Sequence, residues 1–375
     1  MVTNRRLFLK QGTLAALGLG VGLKSMAGED YLPYHIPGAK GLLNLGSNEN
    51  PYGISPKAKL AISNMMQEAN RYQFNVASLQ SFADDLASYY QVSPGQVLIT
   101  AGSGEGLGLL ARYFSNGNIV VANPSFNILQ NTARKIGTEV IDVPVTSNKS
   151  VDLQKMLSAI NDKTKLVYVV NPNNPTGTVL APDALNSFVL EASKKTAVLI
   201  DEAYIDFVNS PNNKSLIALP ATNENVLVMR TFSKIHGMAG LRIGFIVGHP
   251  SLIEKLDKNL FSSAQMCVSN LTLASALASL KDEDHRKASR EKNDAAKNFT
   301  IKSLATLGLT AVPSGTNFIF VPIPSYRGDF AQDMLAKNVL LRAGKSGDEK
   351  WTRISIGTMD EMQRFISIVK PSLSN

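Results

Sequence analysis

From about residue 75 onward the chain alternates two kinds of apolar spacing. Ser78–Tyr90 carries apolar residues at helical intervals. Val97–Thr100 follows as a short apolar run ending in the turn Ala101-Gly102-Ser103-Gly104. Similar runs recur at Ile119–Ala122, Val140–Val145, Leu166–Val170, Val198–Ile200, Val226–Met229 and Ile243–Val247. Strands covered on both faces read as continuous apolar runs rather than as strict alternation, and these do. Several of the intervals between them leave room for a helix. The pattern therefore predicts an α/β fold: a mostly parallel central sheet with helices on both faces.

Beyond Pro250 the pattern changes. Ser251–Leu307 reads as a long helical region, polar and lysine-rich from Lys281 to Lys297, and short strands are expected at Phe318–Val321, Val339–Leu341 and Ile354–Ile356. This predicts a smaller α+β domain over residues 251–375. An arm over residues 28–74, punctuated by Pro33, Pro37 and Gly38, supplies part of it, and residues 75–250 form the large domain.

At 375 residues the chain exceeds what one core usually organises, which agrees with two domains. A composition of 44% hydrophobic and 18% charged residues describes a globular protein. The net charge of +8 suggests nucleic acid, but half of it comes from Arg5, Arg6, Lys10 and Lys24 in a stretch without acids. No dense basic stripe with interleaved aromatics remains elsewhere, so nucleic-acid binding is not expected. The basic stretch has its own reading. Thr3-Asn-Arg5-Arg6-Leu-Phe-Leu-Lys10 resembles the twin-arginine export consensus, followed by a short apolar run from Thr13 to Leu23 and by Ser25-Met26-Ala27, a small-x-small cleavage signal. Residues 1–27 are thus expected to be a signal addressing the protein to the periplasm through the twin-arginine machinery; an uncleaved membrane anchor is the alternative. The single cysteine, Cys267, permits no intrachain disulfide. The twin-arginine route carries folded proteins, which suits one that loads an organic cofactor before export.

Ligands in open α/β sheets bind at the carboxyl ends of strands, so the residues just after each run carry the chemistry. After Leu166–Val170 comes Asn171-Pro-Asn-Asn174-Pro-Thr-Gly177, a pre-shaped loop with amide donors. After Val198–Ile200 comes Asp201-Glu-Ala-Tyr204. An acid at a buried strand end needs a partner, and a protonated pyridine nitrogen is a suitable one, while the tyrosine can donate to a phenolic oxygen. After Val97–Thr100 a glycine-rich turn opens a helix at Ser103 and Gly104, where backbone amides can approach an anion. After Val226–Met229 come Thr231, Ser233 and Lys234, then Arg242: an imine-forming lysine beside a set of phosphate donors. The inventory suits pyridoxal 5′-phosphate.

Leu45-Gly-Ser-Asn-Glu-Asn50-Pro-Tyr-Gly53, Arg71-Tyr72, Asn171–Gly177, Asp201–Tyr204, Ser233-Lys234 with Gly240-Leu-Arg242-Ile-Gly-Phe245, and Arg353-Ile-Ser-Ile-Gly357 occur in the order and spacing of one family. Over residues 31–375 the chain resembles the fold-type I, class I/II pyridoxal-phosphate aminotransferases, most closely their histidinol-phosphate branch. The resemblance implies that Lys234 forms the Schiff base with the cofactor and shuttles the proton. It places Asp201 on the pyridine nitrogen, Asn174 and Tyr204 on the ring's 3′ oxygen, and Phe126 on the ring face. Thr231, Ser233, Arg242 and the amides of Ser103 and Gly104 hold the phosphate, with Tyr72 reaching it from the other subunit of a homodimer. Arg353 clamps the substrate carboxylate, Asn50 lies beside it, and Arg342 meets a distal phosphate. The expected reaction moves an amino group from a donor such as histidinol phosphate to a 2-oxo acid such as 2-oxoglutarate. The alternatives are decarboxylation of a phosphorylated amino acid, of the threonine-phosphate type, and a non-catalytic exported binding module. Three features depart from the family: Gly104 stands where an acid is usual, residues 343–352 are short and charged, and histidine biosynthesis is cytoplasmic whereas this chain carries an export signal. Substrate is accordingly less constrained than cofactor.

Overall fold

The computed structural model describes residues 41–71, 76–208, 215–261, 267–346 and 348–373. The expected signal, the arm up to residue 40, and Tyr72 lie outside the described residues. Gly41–Asn375 forms one compact unit.

Its main feature is a seven-stranded sheet made of β2 (Val97–Thr100), β3 (Asn118–Asn123), β4 (Glu139–Pro144), β5 (Thr164–Val170), β6 (Ala197–Asp201), β7 (Val226–Thr231) and β8 (Gly244–Gly248). The order is β2-β8-β7-β6-β5-β3-β4. Each strand coincides with an expected apolar run to within a few residues. Pairing is parallel except that β8 runs antiparallel to both β7 and β2. The segment joining β7 to β8 holds only a turn and a short 3-10 helix, Ala239–Leu241, and a parallel return needs a longer crossover.

The continuous apolar runs have a direct cause. Along β5, Leu166, Tyr168 and Val170 pack into one core with Leu107, Leu110 and Leu129, while Val167 and Val169 enter a second core with Leu185, Phe188 and Val189. The first core faces the helices Ser103–Tyr113 and Ile128–Lys135, and the second faces Pro182–Ala192. Both faces of the strand are covered from Leu166 to Val170, so that stretch is apolar but for the Tyr168 hydroxyl.

A separate core joins Leu43 and Leu45 to Ile319, Val321, Ile354, Ile356 and Phe365. Here β9 (Phe318–Pro322), β11 (Arg342–Ser346) and β12 (Glu349–Ser355) form an antiparallel sheet, and β1 (Leu43–Asn44) pairs with β10 (Val339–Leu340). Helices Glu283–Thr306 and Met359–Leu373 cover this core. Two expectations are revised. Among the described residues the region 251–307 is broken into the α-helices Pro250–Leu256, Asn270–Leu280 and Glu283–Thr306 and a π-helical segment, Asp257–Phe261, and the helix Asn270–Leu280 packs Leu273, Ala276 and Leu280 against Val97, Ile99 and Phe245 of the large sheet. The charged stretch 343–352 contains most of the β11–β12 hairpin. It escapes an apolar search because only its inner face, with Ala343 and Ile354, meets the core.

Candidate active site

Four strand ends and the loop Leu45–Gly53 converge. Lys234 is half-buried in the turn after β7, and its Nζ donates to the Asn48 carbonyl at 3.2 Å and lies 5.5 Å from the centre of the Tyr204 ring. The turn is tight because Gly237 has φ +69°, and a Cβ there would sit 2.3 Å from the Gly53 carbonyl oxygen. Asn50 fastens the same two segments: its amide donates to the Ile235 carbonyl at 2.9 Å and accepts from the Tyr52 amide at 3.1 Å.

Asp201 closes β6 with 1% exposure. Its carboxylate accepts from the Tyr168 hydroxyl at 2.9 Å and from the Ala203 amide at 3.0 Å. Burial pushes its pKa up to about 6, against the opposing effect of those two hydrogen bonds. The neighbouring acid is placed differently. Glu202 is paired with Arg230 at 3.0 Å, and Arg230 also meets Asp206 at 3.1 Å. Among the described residues, therefore, Asp201 is a buried acid hydrogen-bonded by neutral donors alone, a suitable counter-charge for a cationic ring nitrogen.

The Tyr204 hydroxyl accepts from the Asn48 amide at 3.1 Å and from the Asn174 amide at 3.4 Å. Asn174 in turn accepts from Arg353 at 2.8 Å, and Arg353 also donates to the Gly46 carbonyl at 2.6 Å. Arg342 stands directly opposite Arg353 across the β11–β12 pair and reaches the same Gly46 carbonyl at 3.4 Å.

The anion donors gather at the start of the helix Ser103–Tyr113. Its N-cap is Gly102, with φ +87° and no side chain to cap the first-turn amides. A Cβ on Gly102 would fall 2.1 Å from the Arg242 guanidinium, and one on Gly244 would fall 2.9 Å from the Ser103 nitrogen. Only glycines let Arg242 and the helix amides of Ser103 and Gly104 come together. Thr231 and Ser233 lie beside this point with hydroxyls 3.0 Å apart. Phe126 is half-buried and packs against the core under the sheet's carboxyl edge. These contacts link Lys234, Asn50, Asn174, Tyr204, Arg342 and Arg353 in one group, and Ser103, Thr231, Ser233 and Arg242 gather at the helix start, while Phe126 is placed by its core packing alone.

Several participants were not singled out from sequence. Tyr168 sits inside an apolar strand run, and Asn48 and Ser355 act through bonds that span 307 residues. Asn48 did stand within the Leu45–Gly53 motif. Its φ of 52° is a conformation that asparagine tolerates better than most residues, which is the one local signal for it.

Comparison with known proteins agrees with this geometry. The model of the family "Aminotransferase class I and II" matches residues 40–369. The chain is 37% identical over 345 residues to a histidinol-phosphate aminotransferase of Moorella thermoacetica, covering 90% of this chain and 87% of that one. It is 36% identical over 335 residues to the same-named protein of Brevibacillus brevis, covering 88% and 90%. A structure of histidinol-phosphate aminotransferase from Sinorhizobium meliloti in complex with pyridoxal 5′-phosphate superposes with a TM-score of 0.80 at 24% identity, over 89% of this chain and 91% of that one. The chain belongs to the class I and II aminotransferases. It is a pyridoxal-phosphate-dependent enzyme of fold type I, and it catalyses transamination.

The residues present fit that cofactor: a buried acid hydrogen-bonded by neutral donors, a glycine-built anion cradle, and a lysine close enough to the acid to act on its charge. Bound there, pyridoxal 5′-phosphate supplies an electron sink for the pair left behind when a proton leaves the substrate's α-carbon.

Proposed function

We propose that this enzyme takes its amino group from a phosphorylated amino compound of the histidinol-phosphate type and passes it to a 2-oxo acid such as 2-oxoglutarate. Supporting this are the names of the relatives and, on this chain, one observation above the others. Arg342 and Arg353 face each other in register and converge on Gly46, presenting two guanidinium groups from adjacent strands beside Asn174. Paired guanidinium forks recognise carboxylate and phosphate oxygens bidentately. One arginine pair can then serve an anionic donor and an anionic acceptor in turn.

In this reading Arg353 binds the carboxylate of the 2-oxo acid and Arg342 the phosphate of the donor, with Asn50 keeping the adjoining loop seated on the Lys234 turn. Lys234 Nζ takes the proton from the substrate α-carbon, and the Asn48 carbonyl orients its approach. Asp201 holds the ring nitrogen's charge, Asn174 and Tyr204 hold the 3′ oxygen, and Phe126 covers the ring. Thr231, Ser233, Arg242 and the amides of Ser103 and Gly104 bind the phosphate. The enzyme acts as a homodimer, Tyr72 of each subunit completing the phosphate site of the other. It is exported by the twin-arginine route, with residues 1–27 as the signal.

The test mixes the pyridoxal form of the purified enzyme with one amino donor at a time and follows loss of its visible absorption. Histidinol phosphate is expected to discharge it at low concentration, and histidinol without the phosphate at least about 100-fold less efficiently, the usual scale for losing a charge-assisted anion contact. A preference for an uncharged side chain over histidinol phosphate would overturn the substrate assignment. Borohydride is expected to fix the cofactor to Lys234 and not to a Lys234→Ala variant. For export, replacing Arg5 and Arg6 by lysine is expected to retain the protein in the cytoplasm in a fractionation experiment; unchanged periplasmic yield would refute the route.

A further inference from the structure

We propose that Asn48 is a positioning residue that sets the direction of the Tyr204 hydroxyl hydrogen; this rests on the reading of Tyr204 as a contact of the bound cofactor. Asn48 is 2% exposed and left-handed, with φ 52°. The Ser355 hydroxyl donates to Asn48 Oδ1 at 2.7 Å and accepts the Asn48 backbone N–H at 2.8 Å. With Oδ1 committed to Ser355, the amide nitrogen turns to Tyr204 and donates to its oxygen at 3.1 Å. From the other side Arg353 donates to Asn174 Oδ1 at 2.8 Å, which leaves Asn174 Nδ2 to donate to the same Tyr204 oxygen at 3.4 Å.

A phenolic oxygen has two acceptor positions and one hydrogen. Two amide donors fill the acceptor positions, so the Tyr204 hydrogen is driven into a third direction and Tyr204 is preset as a donor. The two amides are themselves pinned by one strand. Arg353 and Ser355 are two residues apart on β12, so they project from the same face and close a ring running Arg353, Asn174, Tyr204, Asn48, Ser355. The strand that binds the substrate's acidic group therefore also orients the tyrosine on the cofactor side. Removing Asn48's amide frees an acceptor position on Tyr204, and its hydrogen is then no longer confined to one direction.

The test uses the holoenzyme without substrate and reads the pH midpoint of the bound cofactor's visible absorption change. Asn48→Gly keeps the left-handed backbone and the carbonyl that receives Lys234 but deletes the amide. Ser355→Ala leaves the amide in place and removes what pins it. Both are made with Tyr204 intact and with Tyr204→Phe. Asn48→Gly is expected to raise the midpoint by about half a unit or more, a threefold change in the equilibrium. Ser355→Ala is expected to raise it by less, and both shifts should disappear in the Tyr204→Phe background. Shifts of equal size with and without Tyr204, or unmoved midpoints in both variants at an unchanged melting temperature, overturn the proposal. A wild-type enzyme that binds the cofactor but shows no pH-dependent band overturns the reading of the site itself, and the proposal with it.

Discussion

Asp201, buried at the end of β6, costs the apo protein stability at neutral pH. Its folded-state pKa is raised from 3.8 to about 6, chiefly by burial. For a carboxyl raised in this way, the stability it contributes is complete below the unfolded value and is lost as pH rises through the folded one. At neutral pH the apo protein carries a penalty of up to about 3 kcal/mol, two units at 1.36 kcal/mol each. Asp201→Asn is thus expected to melt above the wild-type apo protein at pH 8, with the advantage gone near pH 4. Added cofactor should stabilise the wild type more than the variant. Melting curves of both forms at the two pH values check this, and an apo variant that melts below wild type at pH 8 would refute it. Much of the candidate site was legible at this scale: Lys234, Asn174 and Tyr204 are polar residues in turns after apolar strands, Asp201 ends one, and Arg242 stands just before another. What stayed hidden has two physical causes. Tyr168 buries its ring inside a strand and spends only its hydroxyl on Asp201. Asn48 and Ser355 are ordinary small polar residues whose meaning lies in a pairing that folding alone creates.

At the scale of elements, the ends of β6 and β7 are held at the site by a buried charge cluster. Arg230, 5% exposed, lies between Glu202 and Asp206 and over the Tyr90 ring at 5.3 Å. Its neighbours hold it cationic against burial, and Tyr90, buried beside it, has its pKa pushed up to about 12. Glu202 further accepts from the Leu216 amide at 2.7 Å and from the Ser215 hydroxyl, so the cluster also anchors the segment after residue 214. Breaking such a pair from one side strands the other charge in the interior. Arg230→Met is expected to cost about 3–5 kcal/mol, and adding Glu202→Gln to recover part of it, because the stranded charge is then gone. Urea unfolding of the two single variants and the double variant measures this; a double variant less stable than Arg230→Met alone would contradict it. Elements themselves were read from sequence where both faces are buried, as in β5 and β6. They were only partly read where one face is wet: of the β11–β12 hairpin only the end of β12, at Ile354, was expected as a strand, because the rest shows polar residues rather than an apolar run.

At the scale of the whole molecule, the proposed homodimer is open to direct test. The helix Pro56–Met65 buries only Ala58, and Leu60 within it and Met66 just after it stand 62% and 57% exposed. Exposed apolar side chains grouped on one short stretch are a common mark of a contact surface. They are compatible with the homodimer proposed above. Complementation gives the decisive measurement. If Tyr72 completes the other subunit's phosphate site as proposed, the Lys234→Ala and Tyr72→Ala homodimers should each be nearly inactive. In a mixed dimer one site receives both defects, while the other combines an intact Lys234 with the intact Tyr72 of its neighbour. Subunits exchanged at equal amounts give half mixed dimers with one working site of two, hence about a quarter of wild-type activity. If Tyr72 serves its own subunit, every site in every dimer carries exactly one defect, and mixing restores nothing.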